Sequence, residues 1–327
     1  MRFVIVLSTF LLTAFYASAM PTKHTLSLFA ENDMGFSDRY YTNGIKFQYT
    51  NEGGDFWANA LGFALLDLFV DDFKPTRKFQ SLSFGQNMYV PHSIGLLQPP
   101  DNDRPYAGWL YLNVASHIVS ENSLDSFAIT MGIVGRHSYA GDVQRWWHEL
   151  HDLQMPMGWD SQLDDEFGLI VSYKHFERLW RTSVGKSWQS DVIVSVGVDL
   201  GNVMTQATTS ALARFGYNLP YTFDFNRIDY CSASDVKFYS SEIVRAFFQL
   251  GAVSRFVAYD ITLNGNAFVS GGRSVNPEWF VFEPVAGVSV ARGAIELNLN
   301  ITCRTREYRT QRVNHHTYWS ASIKYNF

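Results

Sequence analysis

The last twelve residues, "HTYWSASIKYNF", constrain the fold more than any other segment. Thr317, Trp319, Ala321, Ile323, Tyr325 and Phe327 alternate with Tyr318, Ser320, Ser322, Lys324 and Asn326, so one face is mostly apolar and the other mostly polar. A period of two is the repeat of a β-strand. The same alternation returns in "AIELNLNITCR", where Ile295, Leu297, Leu299 and Ile301 oppose Glu296, Asn298, Asn300 and Thr302. It returns again in "YYTNGIKFQYT", where Tyr41, Ile45, Phe47 and Tyr49 oppose Thr42, Lys46, Gln48 and Thr50.

A soluble barrel would turn its apolar side chains inward, and here the inward candidates are Lys, Gln, Asn and Glu. That polarity suits a barrel with lipid outside and a wet lumen inside. A terminal Phe with Tyr two residues before it resembles the last strand of bacterial outer-membrane barrels. Period and turn signals place strands near 24–34, 40–52, 78–91, 104–120, 125–137, 167–182, 190–204, 205–219, 243–263, 278–291, 294–309 and 316–327. They make an even set, as a closed single-chain barrel requires. The expected fold is therefore all-β, a 12-stranded antiparallel transmembrane β-barrel.

The address agrees. Residues 1–19 read as a signal peptide: Arg2, the apolar run "FVIVLSTFLLTAFY", then "ASA" ending at Ala19. The apolar run is too short for the roughly 20 residues of a membrane-spanning helix. Residues 20–327 then form one barrel domain in the outer membrane of a Gram-negative cell. No later run is apolar enough for a spanning helix; "FWANALGFALLDLFV", broken by Asn59 and Asp67, reads as one short amphipathic helix. A formal charge of −5 without a Lys/Arg-rich run gives no footprint for nucleic acid. Cys303 falls on the lipid face and Cys231 in a connection on the periplasmic side, so no disulfide is expected.

With both ends in the periplasm, "AENDMGFSDRYYTNGIK" lies at the outer rim, joining the first two strands. Parity turns Thr25, Ser27, Glu31 and Asp33 inward from the first strand and Thr42 inward from the second. A carboxylate, a hydroxyl and backbone oxygens near a turn make a candidate hard-cation site. A solvated loop with Asx turns explains the same residues. The connections near 92–103, 138–166 and 310–315 share that rim, and those at 53–77 and 220–242 are long for periplasmic turns.

One outer connection, from Tyr139 to Asp152, is helix-compatible and sets Gln144 and His148 four apart on one face. A histidine held on one nitrogen can act as a general base through the other. His151 and Asp152 compete as its partners or as half of a transition-metal pair. There is no G-x-S-x-G elbow; Ser138 is the serine in the same loop.

Four blocks, "NDMGFSDRYYTNG", "DRPYAGWLY", "GIVGRHSYAGDVQRWWH" and "GWDSQLDDE", together resemble the outer-membrane lipid A 3′-O-deacylases across the mature chain. The resemblance implies a twelve-stranded barrel that hydrolyses the ester of the 3′-acyloxyacyl group of lipid A, the membrane anchor of lipopolysaccharide, with Ca2+. It implies His148 as the base on water and Gln144 as a positioning group. Asn32, Asp33 and Thr42 would form the calcium and oxyanion region, with Asp33 and Thr42 as metal ligands. Arg104 is a candidate for a lipid A phosphate, and Trp146, Trp147 and Trp159 for the membrane interface. The alternatives are an outer-membrane phospholipase acting through a serine, and a non-enzymatic pore or adhesin.

Overall fold

The structure, a computed structural model, describes residues 24–52, 62–66, 77–232, 243–270 and 272–327. The signal-peptide run lies outside the described residues, as does most of the expected helix over 56–70, of which 62–66 are helical. Among the described residues twelve antiparallel strands close on themselves: β1 (His24–Asn32), β2 (Tyr40–Glu52), β3 (Arg77–Val90), β4 (Ala107–Val119), β5 (Ser123–Val134), β6 (Glu166–Val184), β7 (Trp188–Gly201), β8 (Met204–Tyr217), β9 (Val244–Asp260), β10 (Phe280–Arg292), β11 (Ile295–Thr305) and β12 (His315–Asn326). The seam joins the first strand to the last, with Leu28 opposite Ile323 and Ser27 opposite Lys324. At the rim opposite the β1 start lie α1 (Ala140–Leu150) and α2 (Ile261–Asn264).

The alternation read from the sequence sorts the side chains. Phe47, Leu297, Leu299 and Ile301 are exposed on the outside, while Lys46, Gln48, Asn298, Asn300, Ser320 and Lys324 are buried in the lumen. No described helix is long and apolar enough to cross a membrane.

Strand β2 departs from its expected parity. Its pairing with β3 slips between Tyr41 and Asn43, a β-bulge that gives β2 one extra residue. Tyr41, expected on the lipid face, therefore turns into the lumen and donates its hydroxyl to Glu31 at 2.7 Å. Its ring crosses Gly44, where an added Cβ would lie 2.1 Å from the Tyr41 hydroxyl oxygen. Thr42, expected to point inward, bonds instead to the rim carboxylates Asp33 and Asp38.

The described part of the connection after β8, through Ser232, is not a periplasmic loop: it re-enters the barrel and lines the lumen as a plug. Arg227 pairs with Glu283 at 2.7 Å, Asp229 with Lys174 at 2.7 Å, and the backbone N–H of Ile228 donates to Glu31. Lys46 donates to Ser232 and to the Asp229 carbonyl. At the other end of the plug Asp191 gathers Arg178, Arg181 and Arg214, whose guanidinium groups also bond the carbonyls of residues 219–222. Cys231 is carried into the barrel and buried there, and both cysteines are free. Beside the plug, the described residues enclose a cavity of about 120 Å³. Much of the charge around it is paired: Glu283 alone meets Arg227, Arg255 and Arg304.

Candidate active site

The candidate catalytic groups gather outside the lumen, on the outer wall. Along the outward face of β3, Leu82 and Phe84 are exposed, but Met88 and Val90 beyond them are buried. What covers them is α1 and its flanks: Met88, Val90, Ile94, Tyr106, Ala140 and Trp159 form one apolar cluster. Gln86 ties the start of this segment to the wall by donating to the Ser138 carbonyl at 2.6 Å. Ala140, Gln144 and His148, spaced by four, share the buried face of α1. Gly141 on the same face lies over Trp159, and a Cβ there would meet the indole ring at 2.9 Å.

Each candidate side chain is held by a defined partner. The His148 Nδ1 lies 2.6 Å from the Gln154 carbonyl oxygen, which can only accept, so Nδ1 carries the proton and Nε2 presents its lone pair. Trp159 donates its indole N–H to the Gln144 Oε1 at 2.7 Å, and Gln144 Nε2 donates to Asp38 Oδ1 at 3.3 Å. Asp38 Oδ2 lies 3.3 Å from His148 Nε2. From the β1–β2 connection, Asp33 accepts from the Ser37 hydroxyl at 2.6 Å, the Arg39 backbone N–H at 2.9 Å and the Thr42 hydroxyl at 2.9 Å. Asn32 accepts from the Met34 N–H, capping that turn.

Thr42 has one hydroxyl proton and faces two carboxylates, Asp33 Oδ1 and Asp38 Oδ1, each at 2.9 Å. Burial pushes the Asp33 carboxyl up to about 7, against the hydrogen bonds from Ser37, Arg39 and Thr42 that pull it down. Burial also raises Asp38, opposed by the charge of His148 and by bonds from Thr42 and Gln144. Two carboxylates that share one donor and, among the described residues, have no Lys or Arg side chain paired with them make an oxygen-rich pocket short of positive charge. That chemistry fits a hard cation such as calcium. Among the described residues no three His, Cys, Asp or Glu side chains stand in metal-binding array, so the remaining ligands of such an ion would be hydroxyl, amide and carbonyl oxygens or water.

The structure thus brings Asp33, Thr42, Gln144 and His148 around one point, and it adds Asp38, which spacing did not single out. Asp38 was visible in the sequence only as one more carboxylate in a polar loop. His151 is not a partner of His148: its Nδ1 lies 2.9 Å from the Trp147 carbonyl and its ring stacks on that indole. Arg104 is not offered to a phosphate. It is fully buried, bonded to Glu307 at 3.0 Å and Thr262 at 2.7 Å and lying over the Tyr89 ring, so it ties three rim connections together. Trp146 and Trp147 are exposed as an interface needs, but Trp159 is buried as a support for Gln144. Ser138 is buried and donates to the Gly135 carbonyl, so its hydroxyl is not offered to His148.

The family described as outer membrane protein LpxR matches residues 3–327. LpxR from Salmonella typhimurium superposes with a TM-score of 0.76 at 16% identity, over 93% of this chain and 100% of that chain. The β-domain of the Bordetella autotransporter BrkA aligns with a TM-score of 0.45 at 12% identity, over 94% of this chain and 100% of that one. No curated protein sequence matches the chain.

Proposed function

The chain belongs to the LpxR family of outer membrane proteins, the lipid A 3′-O-deacylase family its motifs resemble, and from that membership we propose that it hydrolyses the ester of the 3′-acyloxyacyl group of lipid A in the outer leaflet. The observation that carries the reading is the setting of His148: one imidazole nitrogen locked on the Gln154 carbonyl, the other facing the partly exposed Asp38 carboxylate at the outer rim of the wall. A base placed there can meet an ester at headgroup depth without drawing its lipid out of the membrane.

The reaction needs no covalent intermediate on the protein. His148 Nε2 takes a proton from water as the water oxygen bonds to the ester carbonyl carbon, and returns that proton to the sugar oxygen as the C–O bond breaks. Gln144, fixed by Trp159, keeps the cleft in register with α1. Asn32 Nδ2 has no partner among the described residues and is free to donate to the developing oxyanion. Asp33 and Thr42 would hold calcium, which supplies positive charge near the carbonyl oxygen. The protein reaches this place by export, with its signal peptide removed near Ala19.

The serine-phospholipase alternative is disfavoured by the buried Ser138, and the pore by the plug. The test is mass spectrometry of lipid A from cells expressing the wild type or His148→Ala, with and without a calcium chelator. Loss of one acyloxyacyl unit that requires both His148 and calcium is expected. Retained deacylation in His148→Ala, with the barrel assembled, removes the assigned base.

A further inference from the structure

We propose that Asp38 is a positioning residue of this reaction, holding and orienting the water that His148 deprotonates and stabilising the imidazolium that results. The inference rests on the hydrolase reading of the site and extends it to a side chain that the motif resemblance does not assign.

Three contacts converge on this carboxylate from two separate parts of the chain. Thr42 Oγ1 reaches Oδ1 at 2.9 Å from β2, Gln144 Nε2 reaches the same oxygen at 3.3 Å from α1, and His148 Nε2 stands 3.3 Å from Oδ2. Asp38 is thus the clasp between the β1–β2 connection and α1. The contact to His148 is of ion-pair length but makes no hydrogen bond, unlike the bond on the other ring nitrogen. With the proton on Nδ1, Nε2 and Oδ2 are both acceptors at this distance, and a water molecule that donates to each satisfies both. A water that donates one hydrogen to Nε2 has Oδ2 within reach for the other, which turns an oxygen lone pair toward the cleft. When the first hydrogen moves to Nε2, the new positive charge arises next to a carboxylate that is already in place. The water oxygen bonds to the ester carbon, and the proton rests on Nε2 until the leaving oxygen takes it. Asp38 cannot instead be the group that fixes the tautomer, because the Gln154 carbonyl does that from the opposite side of the ring.

The test uses the purified full-length barrel in detergent micelles with lipid A bearing a 3′-acyloxyacyl group. Barrel assembly is scored by heat-modifiable mobility. Asp38→Asn keeps the size and an acceptor but loses the charge. It is expected to lower kcat about 100-fold with KM little changed, the scale of effect a misplaced reacting group produces. In a His148→Ala background the same substitution should have no further effect, because two residues that act as one unit are not additive. Asp38→Glu, which keeps the charge one methylene away, should recover part of the lost kcat and serves as the probe should Asp38→Asn fail to assemble. Asp142→Asn on the exposed face of α1 is the control. Asp38→Asn at near wild-type kcat, a loss carried wholly by KM, or losses that multiply with His148→Ala would each overturn the proposal. A wild type that leaves the ester intact would instead remove the hydrolase reading, and this role with it, so the two failures are told apart by the wild-type lane.

Discussion

The plug can be weighed through Asp229. Its carboxylate holds Lys174 at 2.7 Å, with side-chain exposures of 31% and 12%, and caps the turn by accepting from the Cys231 N–H at 2.8 Å. Asp229→Ala leaves the lysine in the lumen without this partner. Removing one member of a buried pair costs about 3–5 kcal/mol, and the partial exposure of Asp229 places this case nearer ~2–3 kcal/mol. At about 1.4 kcal/mol per factor of ten, the undocked plug should become roughly 30- to 150-fold more populated. Cys231 reports that population, because it rides on the plug and is 2% exposed. In a Cys303→Ser background, with no reductant, a small maleimide should label Cys231 faster in Asp229→Ala by that factor, since reaction tracks the open fraction when reclosing is fast. Adding Lys174→Met should restore most of the protection, because the stranded charge is gone. An unchanged labelling rate in Asp229→Ala, or a double variant as reactive as the single, would refute the claim that this ion pair docks the plug.

Two further outcomes follow from close packing. Gly44→Ala would set a methyl 2.1 Å from the Tyr41 hydroxyl oxygen, which is bonded to Glu31; a loss of about 1–3 kcal/mol is expected, read as a lower unfolding midpoint in urea with β content intact. An unchanged midpoint would show that Tyr41 can move aside freely. Trp159→Phe removes the N–H that fixes Gln144 and leaves a buried amide oxygen without that donor, costing about 1–3 kcal/mol. Thermal denaturation together with the lipid A assay should show both a lower midpoint and slower turnover; an unaltered rate would mean that Gln144 keeps its place without the indole.

Most of the barrel was legible because lipid and lumen impose opposite chemistry on alternate residues, and a strand cannot satisfy both in a shifted register. β11 and β12 therefore read correctly residue by residue. The same rule failed in β2, since a bulge changes parity without leaving a mark in composition, and so Tyr41 was assigned to lipid. The plug was hidden for another reason. Parity says nothing about a connection, although Phe223, Asp224, Phe225, Arg227, Asp229 and Tyr230 in succession are too apolar and too charged for a solvated turn. Arg104 was misread because a rim arginine beside aspartates has the same local sequence whether it faces a ligand or, as here, a glutamate two hundred residues away. Gln144 and His148 were legible from helical spacing, whereas Asp38 joins them only through the packing of α1 on the wall.

That packing also bears on how a lipid could be processed at all. A twelve-stranded barrel could in principle work from inside, but its lumen holds the plug, and the cavity beside the plug is lined by charged side chains. Drawing an acyl chain of about a dozen carbons out of the bilayer into such a space would forfeit ~0.8 kcal/mol per methylene, roughly 10 kcal/mol in all. A cleft on the outer wall avoids that loss, since the chains stay in the hydrocarbon while only the ester enters. The exposed apolar side chains near the cleft fit this approach: Tyr139, Trp146 and Leu150 on α1 and its flank, and Met34 and Phe36 beside Asp33. The plugged lumen and the external site are then two parts of one solution. Charged and hydrogen-bonded groups inside hold the wall rigid, and the wall serves as the platform against which α1 sets His148.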